Sequence, residues 1–208
     1  MTKVDHGIVP GRAATGARAA LRPLVRGLAA LGLSPNDVTV AGVVLSLAGA
    51  IALAALGPLP GLILLALGAV ADSVDGQLAR ETGRVSAFGA FLDSTLDRVS
   101  DAAPLVGAAL VAVAAGDSTL AFVALAAMVA GFLVPYTRAK AESLGWNATV
   151  GVAPREARTV LVILGVALWW ITAQRALFTL AIAITAVLAS ITVVQRVAHV
   201  SRQGDRRS

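Results

Sequence analysis

Long apolar segments separated by short polar turns dominate the sequence and predict membrane-spanning helices. A bilayer core about 30 Å thick needs roughly 20 apolar residues for each helical crossing. Six segments approach or exceed that length, and their predicted ranges are 38–56, 59–80, 86–115, 119–143, 158–172 and 177–200. We therefore predict an all-α integral membrane fold, in which six transmembrane helices form a single domain with a core over 38–200.

The composition agrees with a membrane protein. Hydrophobic residues make up 57% of the 208 residues and charged residues 14%, whereas soluble domains carry about 25% charged residues. The absence of cysteine excludes disulfides, thiol catalysis and cysteine-ligated metal sites. Because the first long apolar segment begins only at Val38, no cleavable signal peptide is expected.

The segment before the first span predicts a helix that lies on the membrane surface. Apolar residues recur there at helical spacing, and arginines repeat every fourth residue on another face. The apolar residues are Leu21, Leu24, Val25 and Leu28, and the arginines are Arg18, Arg22 and Arg26. A loosely ordered basic tail is the alternative, because Pro23 interrupts the pattern. Ser34 or Asn36 is expected to cap the first span.

Charge placement predicts the orientation. The turns at 57–60, 116–118 and 171–175 fall on one side of the membrane, and of the 17 Lys and Arg residues only Arg175 lies there. The positive-inside rule then places both termini in the cytoplasm. We predict a multi-pass protein of the plasma membrane, with a cytoplasmic segment 1–37 and a basic tail 201–208.

Four aspartates carry the candidate chemistry. Asp72 and Asp75 share one face of the second predicted span, and Asp93 and Asp97 share one face of the third. The short turn at 81–85 makes the two helices antiparallel neighbours, so all four carboxylates can converge in the cytoplasmic third of the bilayer. Charged residues in spans are costly and are generally functional.

Four carboxylates at close range require neutralisation, because two like charges 4 Å apart cost about 4 kcal/mol at an effective dielectric of about 20. Protonation is one solution. Two divalent cations are another, and oxygen ligands favour Mg²⁺ or Mn²⁺. A pair of such ions suits displacement at phosphorus. Gly76 and Ala79 lie beside the carboxylates and would let a nucleotide base or a diphosphate approach the helix. Arg80 could pair with phosphate or reach the membrane interface. Helix packing is the alternative role for Gly76, Ala79 and Gly89.

These residues form a motif, D-x-x-D-G-x-x-A-R, eight residues, then G-x-x-x-D-x-x-x-D, over 72–97. The motif resembles that of the CDP-alcohol phosphotransferase family, and the likeness extends over most of the chain. The resemblance implies a homodimeric enzyme in which an alcohol attacks a CDP-linked lipid such as CDP-diacylglycerol and releases CMP. It implies that Asp72, Asp75, Asp93 and Asp97 bind the metals and that Asp97 is also the catalytic base. It further implies that the CDP site is lined by Gly76, Ala79, Arg80 and Gly89.

Candidate ligands for the acceptor are basic residues that flank the later spans, namely Arg138, Lys140, Arg155, Arg158 and Arg196. Arg155 and Arg158 are three residues apart and can form a phosphate-sized cationic pocket if a helix has begun there. Topology alone also explains such flanking charges. The stretches 136–142 and 151–158 resemble the actinobacterial phosphatidylinositol-phosphate synthases, which implies inositol 1-phosphate as the acceptor. Pro135 and Lys140 depart from the residues expected in that subgroup.

Two other interpretations stay open. The same chemistry could use another acceptor, such as glycerol 3-phosphate or an unphosphorylated alcohol. The intramembrane aspartates could instead belong to an ion-coupled transporter, although no internal repeat is evident. Asp101 continues the acidic face one turn beyond Asp97 and could either pair with Arg98 or act directly. No nucleic-acid partner is expected.

Overall fold

The computed structural model describes residues 11–204, of which 11–18 are described through the backbone alone. Within this range the regular structure is entirely helical, and the helices are α1 Gly11–Ala30, α2 Pro35–Ala55, α3 Pro58–Glu81, α4 Ala87–Ala115, α5 Ser118–Ser143, α6 Arg155–Thr172 and α7 Arg175–Gly204. The last four residues of the predicted basic tail and the first ten residues of the predicted cytoplasmic segment lie outside the described residues. The described helices confirm the all-α fold.

Five of these helices, α2 to α5 and α7, are long and apolar enough to cross a membrane. The fifth predicted span, 158–172, corresponds to α6, which has 18 residues and is therefore about 27 Å long. Three charged residues, Arg155, Glu156 and Arg158, occupy its first turn, so its apolar part is shorter than that of the others. The chain is a multi-pass membrane protein, and the count of six spans stays a prediction.

The chain divides into two compact units, with the boundary between Gly107 and Ala108 in α4. The first unit contains α1, α2, α3 and most of α4. The second contains the end of α4 together with α5, α6 and α7. The organisation of the chain as a single domain therefore stays a prediction.

Helix α1 forms as the amphipathic pattern predicts, and Pro23 lies inside it. Its apolar face packs on protein, since Val25 is fully buried in a cluster with Val38, Val74 and Leu78. The cluster joins α1 to the first turns of α2 and to the part of α3 that carries the candidate aspartates; the position of α1 on the membrane surface stays a prediction.

A capping box fixes the start of α2. The Ser34 hydroxyl oxygen accepts the Asp37 amide at 3.2 Å, and the Asp37 carboxylate accepts the Ser34 amide at 2.8 Å. Pro35 occupies the first helical position, where its missing N–H costs nothing. Of the two predicted caps, Ser34 is the one that the structure uses.

Small residues allow α2 and α3 to pack closely. A methyl group added to Gly61 would lie 2.7 Å from the Leu53 Cα, and one added to Gly49 would lie 2.9 Å from the Leu65 amide nitrogen. Both distances are shorter than a van der Waals contact, so only glycine fits. In lipid, where apolar surface is not driven out of water, such close approach supplies much of the attraction between helices.

In the second unit, α7 packs against both α5 and α6. Ala189 contacts Ala130 and Val134 of α5, while the ring of Phe178 stacks on that of Trp169 with centroids 5.7 Å apart. At the opposite end from the candidate acceptor residues, Arg175 forms an ion pair of 3.3 Å with Asp117, which also caps α5. The one basic residue predicted on the outer side thus joins two turns.

The packing of Gly61 leads to a stability prediction. Gly61→Ala should lower the free energy of unfolding by about 1–3 kcal/mol, because the methyl group collides with the Leu53 backbone. Thermal unfolding of the purified protein in detergent measures the effect. Gly131→Ala is the matched control, since nothing lies within 4 Å of a methyl group at Gly131 in α5; an equal change in the two variants would contradict close packing at Gly61.

Candidate metal centre and basic cluster

Three of the four predicted metal ligands converge. Asp72 comes from α3, and Asp93 and Asp97 come from successive turns of α4. One carboxylate oxygen of each lies within 4.8 Å of the others. The side chain of Asp97 is only 15% exposed. The convergence follows from the helical spacing of Asp93 and Asp97 and from the turn at 82–86, which brings α4 back beside α3.

Asp75 lies outside this group of three and is held by the protein. It is 4% exposed, and its Oδ2 accepts a hydrogen bond of 2.7 Å from the hydroxyl of Thr39 in α2. Its Oδ1 accepts the Gly76 amide hydrogen. The charges of Asp93 and Asp72 nevertheless act on Asp75. Its role as a metal ligand stays a prediction.

The three converging carboxylates fit a divalent cation. Oxygen ligands lie 2.0–2.1 Å from Mg²⁺, so ligands on opposite sides of one ion are about 4.2 Å apart. Oxygens already within 4.8 Å of one another need little movement to reach that spacing. The donor set consists of carboxylates alone, which favours Mg²⁺ or Mn²⁺ over zinc.

The predicted CDP-binding residues occupy the same two helices. A methyl group added to Gly76 would lie 3.5 Å from Arg80 Nη1, so the guanidinium folds back over the glycine. Ala79, which lies between Gly76 and Arg80 in the sequence, is partly exposed. The Gly89 amide donates to Ser86 Oγ at 3.0 Å in the first turn of α4. Gly76 and Arg80 are therefore adjacent, as a phosphate-binding surface requires.

The predicted base, Asp97, also contacts a cation of the protein. Its Oδ2 lies 3.5 Å from Arg98 Nη2, and the Arg98 side chain is 26% exposed. A contact of that length is weak as a hydrogen bond, and the guanidinium offsets part of the carboxylate's charge. Asp101, one turn further on, is partly buried.

Two of the five predicted acceptor ligands contact backbone carbonyls in the second unit. Arg158 is 8% exposed and donates from Nη1 to the Ala153 carbonyl at 2.8 Å. Arg196 donates to the Val150 carbonyl at 2.9 Å and also to the Val134 carbonyl. Both arginines therefore hold the connection between α5 and α6, over 144–154, in place.

The other three basic residues are more open. Arg138 forms an exposed ion pair of 2.8 Å with Glu142, and Lys140 is exposed on the same helix. Arg155 is the first residue of α6, so it shares a helical turn with Arg158 as the prediction required. Arg196 donates to the Val134 carbonyl, one turn before Arg138, and to the Val150 carbonyl, near the Ala153 carbonyl that Arg158 binds, so these three arginines form one basic cluster.

Sequence reasoning missed the side chains that support these groups. Thr39 binds Asp75 from 36 residues away, and the only local signal was a hydroxyl in the first turn of a span. On α7, Thr192, Gln195 and Gln203 bind backbone groups of the 144–154 connection. With Arg196 they recur at helical spacing, and this polar stripe in an apolar helix was a detectable signal.

The fold and the carboxylate group define an all-helical membrane protein with a site suited to divalent cations. The pattern of the family described as CDP-alcohol phosphatidyltransferase matches residues 32–194. The chain belongs to this family and is a phosphotransferase. This confirms the resemblance drawn from the motif at 72–97.

Relatives cover most of the chain. It is 37% identical over 191 residues to a phosphatidylinositol phosphate synthase of Streptomyces avermitilis, covering 88% of this chain and 78% of the relative. It is 35% identical over 174 residues to an archaetidylinositol phosphate synthase of Pyrococcus horikoshii, covering 82% and 85%. These alignments extend well beyond the motif.

Solved structures agree with the fold. The phosphatidylinositol phosphate synthase of Mycobacterium tuberculosis with CDP-DAG bound is 32% identical and superposes with a TM-score of 0.78, covering 86% of this chain and 92% of that one. The same enzyme in complex with manganese and citrate also has a TM-score of 0.78, with 88% of its length covered.

The carboxylate group predicts a measurable change in metal affinity. Asp93→Asn should weaken Mn²⁺ binding by about 10-fold or more, because one anionic ligand becomes a neutral amide. Electron paramagnetic resonance of free Mn²⁺ over the purified protein, without substrate, measures it. Asp117→Asn removes an equal charge at a capping residue and should leave Mn²⁺ affinity unchanged; equal effects of the two substitutions would contradict the site.

Proposed function

We propose that this enzyme transfers a phosphatidyl group from CDP-diacylglycerol to inositol 1-phosphate, giving phosphatidylinositol phosphate and CMP. The observation that carries the proposal is the convergence of Asp72, Asp93 and Asp97 within the motif that identifies the family. A diphosphate donor is polyanionic, so a carboxylate site can bind it only with cations between them. That requirement matches the chemistry of the site.

The donor half of the reaction falls to α3 and α4. Asp72, Asp75, Asp93 and Asp97 would hold two Mg²⁺ or Mn²⁺ ions, which when bound neutralise the charge that develops on the departing CMP phosphate. Arg80, folded over Gly76, is suited to a phosphate oxygen of CDP. The nucleotide can approach the helix backbones closely at Gly76, Ala79 and Gly89, because these residues have no bulky side chains.

Asp97 is suited to act as the general base. Its carboxylate is largely shielded from water and belongs to the converging group, so it can accept the proton of the attacking hydroxyl. The hydroxyl oxygen then forms a bond to the lipid-side phosphorus, and the bond from that phosphorus to the CMP oxygen breaks. No covalent enzyme intermediate is required.

Basic residues of the second unit support a phosphorylated acceptor. Arg138, Lys140 and Arg155 carry exposed or partly exposed charges, and Arg158 and Arg196 add cationic groups held in fixed positions. Such a cluster favours a phosphate ester over a neutral alcohol. The two relatives described above have different lipid parts in their names but share inositol phosphate, which favours that acceptor here.

The setting of the enzyme is part of the proposal. The excess of Lys and Arg on one side favours both termini and the active site on the cytoplasmic face of the plasma membrane, where nucleotide-linked lipids and sugar phosphates meet. A homodimer is expected from the family. No nucleic acid takes part.

An acceptor panel tests the function directly. The purified protein with CDP-diacylglycerol and Mn²⁺ should release CMP with inositol 1-phosphate, and much less with glycerol 3-phosphate, inositol or glycerol, because only the first offers both a polyol and a phosphate. Chromatography of CMP and of the lipid product measures the outcome. Preferred turnover of glycerol 3-phosphate would replace the acceptor assignment, and no CMP release with any acceptor would overturn the reaction.

The basic cluster makes a separate prediction. Arg158→Ala should raise the KM for inositol 1-phosphate by about 10-fold or more, since a charged contact contributes about 1.5–3 kcal/mol, and should leave the KM for CDP-diacylglycerol nearly unchanged. Initial rates at varied concentrations of each substrate measure the two constants. Arg175→Ala, which removes a guanidinium on the outer side, is the control; equal increases in both KM values for Arg158→Ala would indicate a merely structural arginine.

A further inference from the structure

Asp75 owes its position to a residue outside the motif. The Thr39 hydroxyl donates to Asp75 Oδ2 at 2.7 Å, although the two residues are 36 positions apart and lie on different helices. Thr39 is 7% exposed and Asp75 is 4% exposed. A buried carboxylate without partners would be costly, so this contact is part of what permits an aspartate at this place.

Two acceptors lie within hydrogen-bonding distance of the Thr39 hydroxyl, and the geometry favours the Asp75 carboxylate. Thr39 Oγ1 also lies 3.0 Å from the Pro35 carbonyl in its own helix, and a hydroxyl has one hydrogen to donate. An ionised carboxylate is the stronger acceptor and the closer one. The carbonyl contact keeps the Thr39 side chain in one rotamer, from which its hydrogen is directed across to α3.

The remaining hydrogen bond of Asp75 completes its orientation. The Gly76 amide donates to Oδ1, so each carboxylate oxygen receives one hydrogen from the protein. A carboxylate offers about four acceptor positions, and about two therefore stay available for cations. Two fixed bonds on different oxygens prevent the carboxylate plane from rotating freely.

The helices on which Thr39 and Asp75 lie cannot shift easily. One turn after Thr39, a methyl group added to Gly42 would lie 3.0 Å from Ala71 Cβ and 3.7 Å from the Asp72 amide nitrogen. The backbone of α2 therefore rests against α3 beside the first two aspartates of the motif. The capping box at Ser34 fixes where α2 begins, and so fixes the height of Thr39.

From this arrangement we propose that Thr39 is a positioning residue, which orients Asp75 toward the divalent cations bound with Asp72, Asp93 and Asp97. The inference rests on the proposed function in one respect, since it takes Asp75 as a metal ligand. Thr39 does not touch substrate and takes no part in proton transfer. Its effect is on metal affinity, as is usual for residues that hydrogen-bond a metal ligand without contacting the metal.

The test compares Thr39→Ser with Thr39→Ala in the full-length protein, because these variants differ only by the hydroxyl. Mn²⁺ binding followed by electron paramagnetic resonance, without donor or acceptor, is the first measurement. Thr39→Ala should weaken Mn²⁺ binding by about 10-fold, whereas Thr39→Ser should stay close to the wild type. In CMP-release assays the Mn²⁺ midpoint should rise by a similar factor for Thr39→Ala, with kcat largely recovered at saturating Mn²⁺.

A matched control separates this effect from the loss of a buried hydroxyl. Thr185 in α7 is buried like Thr39, with 4% of its surface exposed, and its hydroxyl donates to the Ala181 carbonyl of its own helix, at 2.8 Å. Thr185→Ala should leave Mn²⁺ affinity unchanged. A similar loss of Mn²⁺ affinity in Thr185→Ala and Thr39→Ala would overturn the proposal, because destabilisation alone would then explain both.

Asp75→Asn separates the role of Thr39 from the existence of the metal site. If Asp75→Asn weakens Mn²⁺ binding and Thr39→Ala does not, the role of Thr39 is wrong and the proposed function stands. If neither Asp75→Asn nor Asp93→Asn changes Mn²⁺ affinity, the metal site itself is wrong. Equal affinities of Thr39→Ser and Thr39→Ala would contradict the hydroxyl's role even where Thr39→Ala folds less stably.

Discussion

Repulsion among carboxylates is the constraint on which the first unit of this protein depends. Asp72, Asp93 and Asp97 bring oxygens within 4.8 Å of one another, and at such distances each pair costs several kcal/mol unless a positive charge lies among them. Arg98 lies 3.5 Å from Asp97 and supplies part of that charge. Divalent cations resolve the repulsion and at the same time create an attraction for a diphosphate. In the proposed function, the carboxylates whose repulsion opposes folding are therefore the groups that hold the cations for the substrate.

Close helix packing is what makes such a site possible in a membrane. Hydrophobic burial cannot hold helices together in lipid, so the carboxylates could separate if the helices were loosely packed. Gly49, Gly61 and Gly42 bring the backbones of α2 and α3 together at successive heights. The same register that lets these glycines fit places Thr39 opposite Asp75. Packing and chemistry are therefore determined by the same spacing of residues along α2.

Helix positions were predictable from the sequence, because a span must be long and apolar. The predicted ranges agree with α2 to α7 within four residues, the largest difference being Val200 against Gly204. The convergence of Asp72, Asp93 and Asp97 was predictable too, since helical spacing and one short turn determine it. The contact of Thr39 with Asp75 was not, because it depends on how two helices slide along each other. Side-chain spacing within one helix carries no information on that displacement.

The basic residues at the ends of the later spans were visible in the sequence, but their pattern had two physical explanations. The positive-inside rule and acceptor binding both predict arginines at the ends of the later spans. The structure adds a third role, since Arg158 and Arg196 hold the carbonyls of Ala153, Val150 and Val134. A guanidinium has five N–H donors in a rigid plane, so one arginine can bind a backbone carbonyl and, in the proposed function, a phosphate as well. Lysine has three donors on a single nitrogen, so it lacks the planar fork that lets a guanidinium bind acceptors along two edges.

This division of donors bears on how the acceptor is selected. An arginine held by backbone carbonyls has lost its side-chain freedom before any ligand arrives, so less entropy remains to be lost when a phosphate binds. Thr192, Gln195 and Gln203 hold the same connection from α7, and they make the position of its carbonyls independent of the ligand. Arg138 instead forms an exposed ion pair with Glu142, and among the described residues no backbone carbonyl is seen to hold its guanidinium. Selectivity for a phosphorylated acceptor should therefore reside mainly in the arginines that the fold holds in place, and the exposed ones contribute chiefly long-range attraction.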